Sequence, residues 1–119
     1  MYVQGYLMAV AENKKDAYAA LAESATSMFK DFGGLELLEG WEVSIKPEMR
    51  ERLAAAVEAG PEDALVFSWV VWPDQATAEA AEQKMKDGDS SCGEPGGEMP
   101  FDMRKVLYGG FEPLVTMGR

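Results

Sequence analysis

The run from Ala64 to Trp72, Ala-Leu-Val-Phe-Ser-Trp-Val-Val-Trp, constrains this chain more than any other segment. It is too short for an ordinary helix, rich in β-branched and aromatic residues, and stopped by Pro73-Asp74. It therefore reads as a strand. A strand with one wet face alternates apolar and polar residues, and this one does not. Leu65, Phe67, Trp69 and Val71 fall on one face; Val66, Ser68, Val70 and Trp72 fall on the other. Both faces need cover. Helices of the same domain cover one, and a second copy of the chain or a ligand is expected to cover the other.

The neighbouring segments complete a sheet. Tyr2 to Val10 is a first strand, with Val3, Gly5, Leu7 and Ala9 on one face and Tyr2, Tyr6, Met8 and Val10 on the other. Asn13 stands as the N-cap of a helix, with Asp16 in its first turn. Its apolar stripe is Ala17, Leu21, Ala25, Met28 and Phe32, flanked by Tyr18 and Phe29, and Gly33-Gly34 ends it. Leu35 to about Ile45 is a second strand. Pro47 opens a short helix to about Ala59, closed by Gly60-Pro61. After the central strand, Asp74 caps a helix to about Asp87 with Ala78, Ala81 and Met85 inward. Gly88 to Glu98 has loop composition. Val106 to about Met117 is a last strand, where Gly109-Gly110 suggests a bulge or a close backbone contact and Pro113 an edge.

The order is βαββαβ with a small helical insertion. It predicts an α+β, ferredoxin-like domain over residues 1–119, with a four-stranded antiparallel sheet and helices on one face. The open face predicts a homodimer packed sheet to sheet, a dimeric α-β barrel.

Charge and composition exclude several classes. The formal net charge of −10 repels phosphates, so neither nucleic acid nor an anionic membrane is an expected partner. No apolar run is long enough for a membrane span, and Met1-Tyr2-Val3 leads directly into a strand, so the expected location is cytoplasmic. Histidine is absent and Cys92 is the single cysteine, which leaves no expected transition-metal site and no cofactor. No Gly-rich phosphate loop follows a strand.

Several segments carry a resemblance. Met99-Pro100-Phe101-Asp102 and Tyr108-Gly109-Gly110-Phe111-Glu112-Pro113-Leu114-Val115 are similar to the end of the YbaA-like family of small bacterial proteins of unknown function. Val66-Phe67-Ser68-Trp69-Val70-Val71-Trp72-Pro73 resembles that family's Phe-Ser-Trp strand, and Met1-Tyr2-Val3 with Gly5, and Gly34-Leu35-Glu36 with Glu39, fit as well. Glu48 to Gly60 and Asp87 to Glu98 depart from the pattern. The resemblance implies a dimeric α-β barrel and no known activity. The wider superfamily includes cofactor-independent monooxygenases of polycyclic aromatics, and enzymes of haem or chlorite. Its haem binders usually use a histidine, which this chain lacks.

Glu39 is the candidate catalytic residue. It falls between Leu37 and Trp41 on the apolar side of its strand, where a desolvated carboxyl with a raised pKa serves as acid or base. A bulge at Gly40 that turns Glu39 to solvent, or an ion pair across a dimer, is the plainer account of the same position. Tyr6, Trp41, Trp69 and Tyr108 are candidates to line an apolar ligand pocket between the sheets, or to be core and interface. Asp102 is placed to hold a turn. Cys92, beside acidic residues and without a base, reads as an ordinary thiol. Two functions follow. One is a homodimeric, non-catalytic module binding a small molecule or partner. The other is a cofactor-independent oxygenase or isomerase acting on an apolar aromatic substrate.

Overall fold

The structure is a computed structural model that describes residues 1–86 and 100–118. Its elements are β1 (Tyr2–Ala11), α1 (Lys15–Asp31), β2 (Glu36–Trp41), α2 (Pro47–Ala56), β3 (Asp63–Trp72), α3 (Gln75–Lys86) and β4 (Leu107–Phe111). The four strands form one antiparallel sheet in the order β2-β3-β1-β4. The fold is α+β, with three α-helices among the described residues. The loop expected over Gly88 to Glu98, and Cys92 with it, lies outside the described residues.

The doubly apolar strands β1 and β3 sit in the middle of the sheet, where both faces can be covered. One face meets α1 and α3. It carries Gln4, Tyr6, Met8 and Val10 of β1 and Val66, Ser68, Val70 and Trp72 of β3. Its core divides into two clusters. Met8, Val10, Val66 and Tyr18 form the first. Val70, Trp72, Ala78 and Ala81 form the second, under α3, whose alanines allow close approach to the sheet. Trp72 is fully buried, and its Nε1 donates to Gln4 Oε1 at 2.9 Å.

Local signals explain the element ends. Gly33 takes φ 102°, Gly34 N–H donates to Phe29 O at 2.7 Å and Gly33 N–H to Lys30 O at 3.1 Å. This is a Schellman stop, which the Gly33-Gly34 pair predicts. Pro47 occupies the first turn of α2, and Asp74 Oδ1 accepts the Thr77 N–H at 2.8 Å at the start of α3. Asp102 holds the turn before β4, its Oδ1 accepting the Arg104 N–H at 3.0 Å.

Other expectations are corrected. Asn13 is not an N-cap: Glu12–Lys14 forms a 3-10 turn, and Lys14 caps α1 without a side-chain hydrogen bond. Of the expected stripe of α1, Ala17 is exposed, whereas Ala25 is buried, Phe32 packs on the second cluster and Leu21 and Met28 border the space under the helix; Tyr18, Ala22 and Phe29 face inward with them. β2 ends at Trp41, not near Ile45. There Glu42 turns aside to accept from Arg50 of α2 at 2.7 and 3.0 Å and from Leu65 N–H at 2.8 Å. α2 stops at Ala56, and the left-handed residue behind it is Glu58 (φ 54°) rather than a glycine. α2 also departs from the one-sided arrangement, since Leu53 borders the opposite sheet face beside Leu65 and Phe67.

β4 is shorter than expected, ending at Phe111, and Pro113 lies past it. β4 is an edge strand, paired only with β1. Gly109 and Gly110 pair in unbroken register with Gly5 and Gln4, so there is no bulge. The close contact is with side chains: a Cβ at Gly110 would collide with the Tyr2 ring and hydroxyl, and the Phe111 ring folds over the Gly5–Gly109 pair.

Candidate functional site

The two core clusters part around Ser68, which stands between Val66 and Val70 on β3. Ser68 is itself buried. Beside it a half-open cavity of about 590 Å³ lies between the sheet and helices α1 and α3, within the size range of small-molecule sites. Its walls are mostly apolar, with Met8, Met28, Phe29, Met85, Phe101 and Met103 among them.

The polar side chains of the floor lie in a single row across all four strands. Glu39 of β2 is paired with Ser68 of β3, Ser68 with Tyr6 of β1, and Tyr6 with Tyr108 of β4. The strand period of two puts all four on the helix-facing side. Tyr18 reaches down from α1, where it is buried, and its Oη donates to Glu39 Oε1 at 2.6 Å. Ser68 stands opposite Glu39 in the register, and its hydroxyl favours the charged form of the same carboxyl. Tyr6 and Tyr108 stack with ring centroids 6.0 Å apart, and Tyr6 Oη donates to Gln4 Oε1 at 3.2 Å.

Solvent reaches Glu39 through the open cavity, although protein atoms flank its carboxyl. This desolvation pushes its pKa above the ordinary carboxylate value, and the hydrogen bonds from Tyr18 and Ser68 oppose the rise only in part. Burial pushes the Tyr6 phenol up to about 12, with the Glu82 charge adding to it. Burial raises Tyr18 further still, helped by its hydrogen bond to Glu39. Both tyrosines are neutral donors at ordinary pH. The arrangement can accept a hydrogen bond or a positive charge at Glu39, and can take up a proton there.

The sequence candidates separate. Glu39, Tyr6 and Tyr108 come together in the row. Trp41 shares their face but packs against the first core cluster, under the Lys15 ammonium at 5.4 Å. Trp69 is on the opposite face, its Nε1 donating to Glu36 Oε2 at 2.8 Å. The pocket walls are thus sheet and helices within one protomer for Glu39, Tyr6 and Tyr108, not two sheets. Ser68 and Tyr18 were missed as site residues. Ser68 announces itself as the one hydroxyl in an otherwise apolar strand. Tyr18 has no comparable signal, because a tyrosine on a helix stripe reads as core.

The opposite sheet face bears a broad apolar groove of about 750 Å³, with Leu7, Leu65, Phe67, Leu107 and Phe111 along it. Phe67 is 52% and Phe111 63% exposed. Few polar groups converge there. Among the described residues no three of Cys, Asp and Glu come together as a metal site, and no helix is long and apolar enough to cross a membrane.

Comparison with known proteins gives one consistent family. Residues 1–103 match the family model described as Protein of unknown function (DUF1428). The chain is 39% identical over 114 residues to the Uncharacterized protein YbaA of Escherichia coli (strain K12), covering 96% of this chain and 97% of the relative. The same figures hold for the proteins of that name from Escherichia coli O157:H7 and Shigella flexneri. The family match takes in the Phe-Ser-Trp strand and Glu39, and stops before β4.

Proposed function

The chain belongs to the DUF1428 family of proteins of unknown function, and we propose that it is a homodimeric, non-catalytic protein that binds a small apolar molecule between sheet and helices. The split core carries this reading. A domain that needs only stability closes its core, since a void forfeits packing contacts. Here the described residues leave a half-open cavity of about 590 Å³, with Glu39, Ser68 and Tyr6 across its floor.

The strand order β2-β3-β1-β4 supports a ferredoxin-like domain. The exposed Phe67 and Phe111 of the groove support a dimeric α-β barrel, in which two such faces meet. A cytoplasmic protein without nucleic-acid or membrane partners accords with the charge of −10.

The test is binding of Nile red, a neutral dye that brightens in apolar surroundings. Wild type is expected to raise its emission. Ala22→Phe, which fills the cavity from α1, is expected to abolish the rise. An equal rise with both proteins refutes the site.

A second reading is proton-transfer chemistry on an apolar aromatic substrate, by an isomerase or a cofactor-independent oxygenase. It is favoured by the contact between Tyr18 and a carboxyl of raised pKa. The Glu39 carboxylate would take a proton from carbon beside a carbonyl, the C–H electrons moving to the carbonyl oxygen as enolate. Solvent deuterium entering an aryl ketone, and lost in Glu39→Gln, supports it; its absence leaves binding alone.

A further inference from the structure

The proposal concerns the charge of the ligand, and it rests on the binding reading above. Among the described residues the cavity lining holds two carboxylates, Glu39 on the floor and Glu82 on α3, and no lysine or arginine. The chain has no histidine, and the segment 87–99 contains neither lysine nor arginine. The groups acting on the Glu39 carboxyl are the hydroxyls of Tyr18 and Ser68, with no cation among them.

The hydrogen-bond directions sharpen this. Tyr18 directs its hydroxyl proton to Glu39, and Tyr6 directs its own to Gln4. Two hydroxyls of the lining are therefore donating into the protein. What they leave to a ligand is acceptor capacity: the second Glu39 oxygen and the lone pairs of the phenols. An anion would meet like charge and find these donors occupied. A neutral molecule would leave the carboxylate without a counter-charge in surroundings that desolvate it.

The remaining lining suits a cation as well. Tyr6, Tyr18, Phe29, Phe101 and Tyr108 bring aromatic rings around the space, and ring faces attract ammonium groups. Methionine side chains adapt their shape to varied apolar bodies. We propose that the cavity takes an amphiphilic organic cation, an apolar or aromatic body with a protonated nitrogen that hydrogen-bonds to Glu39 between the rings of Tyr6 and Tyr18.

Calorimetry on the full chain tests this with three probes of one shape: 4-phenylbutylammonium, 4-phenylbutanol and 4-phenylbutyrate, in about 0.15 M salt to screen long-range attraction. The ammonium is expected to bind at least tenfold tighter than the alcohol, and the carboxylate weakest. Glu39→Gln keeps an acceptor for Tyr18. It should lower the ammonium affinity at least tenfold and change that of the alcohol less than twofold. Glu51→Gln, an exposed change on α2, should alter neither. Equal affinity for ammonium and alcohol, or equal losses in Glu39→Gln and Glu51→Gln, overturns the cation and leaves the apolar site standing. Tightest binding of the carboxylate overturns it as well. Binding of no probe removes the site and the proposal together.

Discussion

Tyr18 Oη lies 2.6 Å from Glu39 Oε1, and this contact joins the first helix to the second strand across the open part of the core. Tyr18 is 6% exposed, so the hydroxyl is held by packing and the carboxyl is held by the hydroxyl. Removing the hydroxyl in Tyr18→Phe is expected to cost roughly 1 kcal/mol at pH 7. That is below the range for hydrogen bonds to charged groups, because solvent reaches Glu39. A double-mutant cycle with Glu39→Ala, which removes the acceptor, should show coupling between the two positions in urea, smaller at pH 4 than at pH 7. Full additivity at pH 7 would mean the contact contributes nothing.

Glu39 also sets a pH dependence. Its folded pKa is raised by desolvation above the unfolded value of about 4.3. The protonated carboxyl is the form the fold prefers, so its contribution is fully present below the unfolded pKa. The contribution is lost as pH rises through the folded pKa. Glu39→Gln does not titrate. The stability of Glu39→Gln relative to wild type should therefore grow between pH 4 and pH 7. A difference that stays constant, or shrinks, contradicts the raised pKa.

The strands and helices were legible because their periods differ. The doubly apolar pattern of Leu65 to Trp72 marked β3 as central and required cover on both faces. The faces were separable by alternation, but which one meets the helices is decided by the packing of α1 and α3, which no local pattern in the strands announces. Glu39 stood out as a charge in phase with Leu37 and Trp41. Its row-mates Ser68 and Tyr6 are brought beside it by register, which hydrogen bonding between distant segments fixes and no local pattern announces. Trp69 was misgrouped for the same reason: alternation puts it out of phase with Ser68, and only the assembled sheet shows which phase lines the cavity.

Self-association should depend on the face away from α1 and α3. Phe67 is 52% exposed in one protomer, so Phe67→Asp costs little within the chain and introduces a charge on the groove. Light scattering at micromolar concentration is expected to give twice the chain mass for wild type and the chain mass for Phe67→Asp. A wild-type monomer contradicts the dimer.

Glu58 offers a stability test independent of the site. It holds φ 54° after α2, where Ala59 N–H donates to Ala54 O at 2.8 Å. A side chain in the left-handed region costs about 1–2 kcal/mol that glycine avoids. Glu58→Gly should raise the unfolding midpoint by about 1 kcal/mol in free energy, after the entropy that glycine adds to the unfolded chain. A lower midpoint would show that the Glu58 side chain supports the turn.

The central claim is that the space between sheet and helices is a ligand site. Methionine methyls report on it directly, because Met8, Met28, Met85 and Met103 line the cavity, whereas Met1, Met49 and Met117 do not. Titration of methyl-labelled protein with 4-phenylbutylammonium, followed by NMR, is expected to shift the four cavity methyls with one common affinity and leave those of Met1, Met49 and Met117 in place. Shifts confined to Met1, Met49 or Met117, or no saturable shift at the four, would contradict the account.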